Sequence, residues 1–300
     1  MPLPAAALDA GADAAPPAKH SPVTPPAYTL VDAGGDRPIR VLPSAEPSRR
    51  VLVYLHGYCG DVNAVGAFVP AASAHGTLLA LLGDQPCGKD KPGRFKWSTD
   101  THALDQRIQR AIRLVNRERK LDLDARDITV FGYSQGAVRA ESLARYYAQR
   151  YPRVILGGPP RRPKPEHFKH VRRIAVFGGE LEETTDMRGG ADDLIAAGFQ
   201  ARFFLLPGVD HGDFGDELAG NRALSEILAF VSAPEPLTAP GPVPKVAQPT
   251  ARHSQSESGR GRNGGSRQGP GGDISFSAGG AAEKGGDNPI PVQPSGLQGP

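Results

Sequence analysis

The stretch Ile128-Thr129-Val130-Phe131-Gly132-Tyr133-Ser134-Gln135-Gly136 decides how this chain is read. Its first four residues form an apolar, partly β-branched run that predicts a strand, and the residues from Gln135 onward suit a helix. Gly-x-Ser-x-Gly between a strand and a helix is a nucleophile elbow. The turn is so sharp that the serine backbone is strained. Glycine two residues to either side lets strand and helix pass without Cβ clashes. The serine hydroxyl is left standing above the carboxyl edge of a sheet. A chain with 37 glycines can write such a pentapeptide by chance, so the surrounding sequence has to supply its partners.

Working outward, the run Val51-Leu52-Val53-Tyr54-Leu55 is continuously apolar, as expected of a strand buried on both faces. Residues 77–82 repeat that character, and 154–156, 174–177 and 203–206 complete the series with 128–131. Residues 28–31 and 39–42, split by Gly34-Gly35, predict an opening hairpin. Leu104, Ile108, Ile112 and Val115 recur at helical spacing, with N-capping residues upstream in Ser98-Thr99-Asp100-Thr101. Stretches 135–149, 187–197 and 216–231 are also helix-compatible. Strands alternating with helices predict an α/β class: a mostly parallel, doubly wound sheet with helices on both faces. The short span between Leu156 and Ile174 leaves no room there for a large cap domain.

Composition divides the chain into three parts. Residues 1–27 are Ala/Pro-rich and 234–300 are rich in Gly, Pro and Ser. Such segments bury too little apolar surface to offset their ordering entropy, so both are expected to be disordered. The domain is then 28–233. A net charge of +3 is small and says little about partners. The tail arginines Arg252, Arg260, Arg262 and Arg267 lack interleaved aromatics and read as a solvated tail, so no firm nucleic-acid partner is expected. No membrane span or signal-peptide pattern is present. The compartment stays open between the cytoplasm and export behind a signal upstream of Met1, and the oligomeric state is open as well. Cys59 and Cys87 both fall in loops at the same sheet edge, which allows either a disulfide or two thiols. His56, Cys59, His75 and Cys87 lack the compact spacing of a zinc site, so no metal is expected.

An acyl-transfer serine needs a base, an orienting acid and an oxyanion hole. His211 follows the last strand and the loop Pro207-Gly208-Val209-Asp210, which places it at the edge where Ser134 emerges. The acid should follow residues 174–177, where Glu180, Glu182, Glu183 and Asp186 compete. Glu182, three residues beyond Gly179, is preferred. Asp186 is the alternative, or else a cap for the helix near Met187. Backbone donors for the developing oxyanion are expected from Gln135 and from Tyr58 in the turn His56-Gly57-Tyr58-Cys59-Gly60. His56 itself reads as a packed support for that turn. Trp97 either lines the cleft or packs in the interior.

Leu55-His56-Gly57 with its loop, Gly-Tyr-Ser-Gln-Gly, and the late His211-Gly212 together resemble the α/β-hydrolase superfamily over about residues 51–231. The Ser134-Gln135 pair is similar to the carboxylesterase/acyl-protein thioesterase-like (phospholipase/carboxylesterase) branch. The resemblance implies an α/β-hydrolase fold and a serine hydrolase that cleaves esters or thioesters through an acyl-enzyme on Ser134, with no cofactor; the missing cap implies an open cleft suited to a small ester or thioester. The branch normally carries an Asp as its acid, and Glu182 departs from that pattern. Two other functions fit the same fold: a binding protein with an impaired triad, and a hydrolase of peptides or polysaccharide esters.

Overall fold

The computed structural model describes residues 27–60, 69–212, 214 and 217–234. The expected disorder of 1–27 and 234–300, and the arginines of the tail, fall almost wholly outside these residues. Eight strands form the main sheet: β1 (Thr29–Val31), β2 (Ile39–Leu42), β3 (Val51–Leu55), β4 (Thr77–Leu81), β7 (Ile128–Tyr133), β8 (Arg153–Gly157), β9 (Arg173–Gly179) and β10 (Ala201–Leu206). Between β4 and β7 in the chain, β5 (Gln85–Pro86) and β6 (Phe95–Lys96) make a separate two-stranded ribbon. The helices are α1 (Val69–His75), α2 (Thr101–Arg119), α3 (Gln135–Tyr146), α4 (Thr185–Ala196) and α5 (Glu217–Ser232).

The sheet order is β1-β2-β4-β3-β7-β8-β9-β10. β1 and β2 pair antiparallel as the expected hairpin, and β2 is antiparallel to β4. From β4 through β3 to β10 every pairing is parallel. β3 lies between β4, which follows it in sequence, and β7, which comes two crossings later. The chain therefore leaves β3 toward one side of the sheet and later leaves β7 toward the other. Loops that diverge in this way open a crevice at the carboxyl edge.

Side chains of the central strands separate by the two-residue period of a strand. Val51, Val53 and Leu55 join one core together with Ile108, Ile112 and Val115 of α2 and Ala140 and Leu143 of α3. Leu52 and Tyr54 join the opposite core with Ala71 and Ala72 of α1 and Leu224, Ile227 and Leu228 of α5. Each fully buried Val, Leu or Ile side chain stabilises the fold by about 1.5–3 kcal/mol relative to exposure. α2 begins where its capping residues predict: the Asp100 carboxylate accepts the Ala103 N–H at 2.9 Å. It ends on Lys120 in the left-handed region.

Two elements have no clear counterpart in the sequence pattern. α1 is too short to show a periodicity, and the β5–β6 ribbon lies in a Gly/Lys-rich stretch that reads as loop. Cys59 and Cys87 are joined in a disulfide that fastens this ribbon to the turn after β3.

Candidate active site

β7 ends at Tyr133 and α3 starts at Gln135, so Ser134 alone makes the turn, at φ 51° and ψ −115°. A non-glycine residue there costs on the order of 1–3 kcal/mol and persists because its surroundings leave no alternative. The Ser134 N–H is held by Gly157 O at 2.7 Å. A Cβ on Gly132 would lie 2.1 Å from Gly136 O, and one on Gly136 would lie 2.0 Å from Leu55 O. Both glycines are therefore required by contact between backbones.

The loops after β9 and β10 bring two further groups to this turn. His211 Nε2 lies 3.1 Å from Ser134 Oγ, and His211 Nδ1 lies 2.5 Å from Glu182 Oε2. The other carboxylate oxygen, Glu182 Oε1, accepts the Gly179 N–H at 2.7 Å. The Glu182 side chain is 7% exposed against 45% for His211, so the acid sits behind the ring and the ring faces the solvent side. The two loops are also tied directly, Leu181 N–H donating to Val209 O at 3.0 Å.

The four carboxylates of the acid loop take different places. Glu180 Oε2 accepts the Gly208 N–H at 2.9 Å and so braces the histidine loop. Glu183 accepts the Thr185 N–H at 2.8 Å, and hydrogen bonds to Thr185 hold its carboxyl below the usual range. α4 begins at Thr185, so Asp186 lies inside its first turn rather than in a capping position. Glu182 is the one that meets His211.

The turn after β3 is built around a buried His56. Its Nε2 accepts the Gly83 N–H at 2.8 Å, which puts the ring proton on Nδ1, where it donates to Gly57 O at 2.7 Å. Gly60 N–H closes the turn onto Gly57 O at 3.1 Å. A Cβ on Gly57 would lie 3.2 Å from the Ser134 Cβ, so this turn packs directly against the elbow. The Gln135 N–H heads α3, where first-turn donors have no partner within the helix.

Trp97 is not part of the cleft wall. It is 3% exposed, its indole N–H donates to His56 O at 2.8 Å, and it supports the turn from beneath. The Gln135 side chain holds the Trp97 backbone from both sides, Oε1 accepting the Trp97 N–H at 3.0 Å and Nε2 donating to Trp97 O at 3.3 Å. This role for the residue after the serine cannot be read from the pentapeptide. Gly158 is a second residue without a sequence signal. At φ 49° it presents only a Cα to the imidazole, and a Cβ there would stand 2.9 Å from His211 Cε1.

A cleft of about 400 Å³ opens over Ser134 and His211. Tyr54, Tyr133 and Phe214 give it an aromatic floor, and Gly57, Tyr58 and Arg94 form its wall. The cavity between α2 and the β1–β2 end of the sheet, lined by Arg107, Arg110 and Arg113, includes none of Ser134, His211 or Glu182.

The chain matches no protein-family model and no curated protein. Among solved structures it is similar to TT1662 from Thermus thermophilus, at 15% identity over 69% of this chain and 99% of that one, with a TM-score of 0.50. It is also similar to a predicted CIB-like hydrolase from Thermoplasma acidophilum, at 12% identity over 69% and 97%, with a TM-score of 0.51. Sheet order, the strained strand–turn–helix at Ser134 and this structural likeness agree, and the domain has the α/β-hydrolase fold.

Proposed function

We propose that the protein is a serine hydrolase of carboxylic esters or thioesters, acting through an acyl-enzyme on Ser134. One observation carries this reading: the unbroken hydrogen-bonded line from Ser134 Oγ through the His211 ring to Glu182. Glu182 fixes the proton on Nδ1, which leaves Nε2 as the acceptor for the serine proton.

In the first half-reaction Ser134 Oγ attacks the carbonyl carbon while His211 Nε2 takes its proton. The carbonyl oxygen becomes an oxyanion facing the N–H groups of Tyr58 and Gln135. Collapse breaks the bond to the leaving alkoxide or thiolate, which receives the proton from His211. Water then attacks the acyl-enzyme, giving its proton to His211; collapse breaks the bond between Ser134 Oγ and the acyl carbon, His211 returns the proton to Oγ, and the free acid leaves. The cation formed on the imidazole is balanced by Glu182 throughout.

The aromatic floor and modest volume of the cleft suit short acyl groups. The resemblance to the carboxylesterase/acyl-protein thioesterase-like branch supports the ester or thioester chemistry. Labelling with a fluorophosphonate tests the reading: wild type should be modified covalently and Ser134→Ala should not. Equal labelling of the two, or none of either, would leave a binding protein on a hydrolase fold as the better account.

A further inference from the structure

The second residue of Gly-Tyr-Ser-Gln-Gly is unspecified by the motif, yet here it reaches the other end of the site. Tyr133 closes β7 on the face that packs against α5, with 5% of its surface exposed. Its hydroxyl oxygen accepts the N–H of Gly212 at 2.6 Å. Gly212 is the residue after His211. The Tyr133 ring also lies beside the imidazole, centroids 5.4 Å apart and tilted by 34°. Phe214 packs against it edge-on at 4.8 Å and Phe177 flanks it at 6.2 Å.

The loop after β10 is thus tied at two points around His211. Upstream, Gly208 and Val209 are held by the acid loop through Glu180 and Leu181. Downstream, Gly212 is held by Tyr133. On the opposite side the Gly158 backbone comes so close to the ring that a Cβ there would stand 2.9 Å from His211 Cε1. The backbone after the base is therefore fixed by a phenol on the same strand that presents the nucleophile.

We propose that Tyr133 is a positioning residue, setting His211 in register with Ser134 through the Gly212 N–H. This rests on the hydrolase reading above. The geometry it protects is sensitive, since a misplacement of about 1 Å can cost on the order of 100-fold in rate. Tyr133→Phe keeps the ring and its packing and removes the hydroxyl that accepts the Gly212 N–H.

The test has two arms on the full 300-residue chain. Hydrogen exchange at the Gly212 amide should accelerate in Tyr133→Phe, while exchange in the β7 and β8 amides stays as in wild type. With a short nitrophenyl ester, kcat should fall by about tenfold with KM held within about twofold. Phe177→Leu serves as the packing control, disturbing the same aromatic group while keeping the hydroxyl. It should lower the melting temperature more than Tyr133→Phe and leave Gly212 exchange slow. Unchanged exchange in Tyr133→Phe overturns the tether. Faster exchange with wild-type kcat overturns the positioning role. A wild type without esterase activity or fluorophosphonate reaction removes the parent reading and this role with it, and the exchange arm then reports on the bond alone.

Discussion

Glu182 and Asp186 stand four residues apart, but the backbone gives them different reach. Glu182 sits in the turn before α4, with Gly179 N–H holding one oxygen so that the other points at His211. Asp186 is already inside the helix, where its charge complements the positive N-terminal end of the dipole. Glu182→Gln should retain the fold yet lower kcat by about 10³-fold or more, since an amide cannot balance the imidazolium charge and can favour the wrong tautomer. Asp186→Asn should change kcat by less than about threefold and cost at most about 1 kcal/mol of stability. Steady-state kinetics with denaturant melts on both variants separates the roles. A larger kcat loss in Asp186→Asn would reverse the assignment.

At the scale of elements, the β5–β6 ribbon depends on attachments more than on its own pairing. Its strands are two residues each and are exposed or half-buried. It is held by the disulfide, by the bridge between Gly60 and Phe95, and by Arg37 stacked over the Phe95 ring at 4.3 Å. The disulfide spans 28 residues of sequence, for which loop-closure entropy gives about 3–4 kcal/mol. A Cys59→Ser/Cys87→Ser double variant should therefore unfold at lower urea, by an amount equivalent to about 2–4 kcal/mol. Arg94 lies on the ribbon and on the cleft wall, so KM for a short ester should rise as well. An unchanged urea midpoint would show that the other attachments hold the ribbon unaided.

Across the whole molecule, the sheet's β1–β2 end is fastened to α2 by charge. Arg107, mostly buried, bonds the Asp36 carboxylate and the Leu82 carbonyl together. Burial pushes the Asp36 carboxyl upward, but hydrogen bonds and charge from Arg107 and Arg37 outweigh it and leave it below its ordinary value. Asp84 follows the same pattern, burial opposed by hydrogen bonds from Ser98. Carboxyls whose folded value is depressed contribute stability above their unfolded value and lose it as pH falls through the folded one. The melting temperature should hold down to about pH 4 and decline below it. Asp36→Asn should start lower at neutral pH and decline less steeply, as thermal melts across pH 2–7 would show, those limits being roughly set by carboxylate titration. Parallel curves for the two proteins would exclude Asp36 from the acid response.

Much of the fold is local in origin and could be read directly. The mainly apolar runs at Val51–Leu55 and Ile128–Phe131 mark strands buried on both faces, because a β-strand's period of two puts alternate residues into two cores. The elbow is likewise local, since backbone contact alone dictates Gly132 and Gly136. The strand–helix alternation, the serine turn and the order in which Glu182 and His211 follow it are written in local sequence. Other features are matters of approach between segments far apart in the chain and are settled only when the chain folds. These are the choice of Glu182 among four carboxylates, the burial of Trp97 beneath the turn, the pairing of Cys59 with Cys87, and the bond from Tyr133 to Gly212. Each depends on where loops from separate strands converge at one sheet edge, and spacing along a chain does not encode that distance.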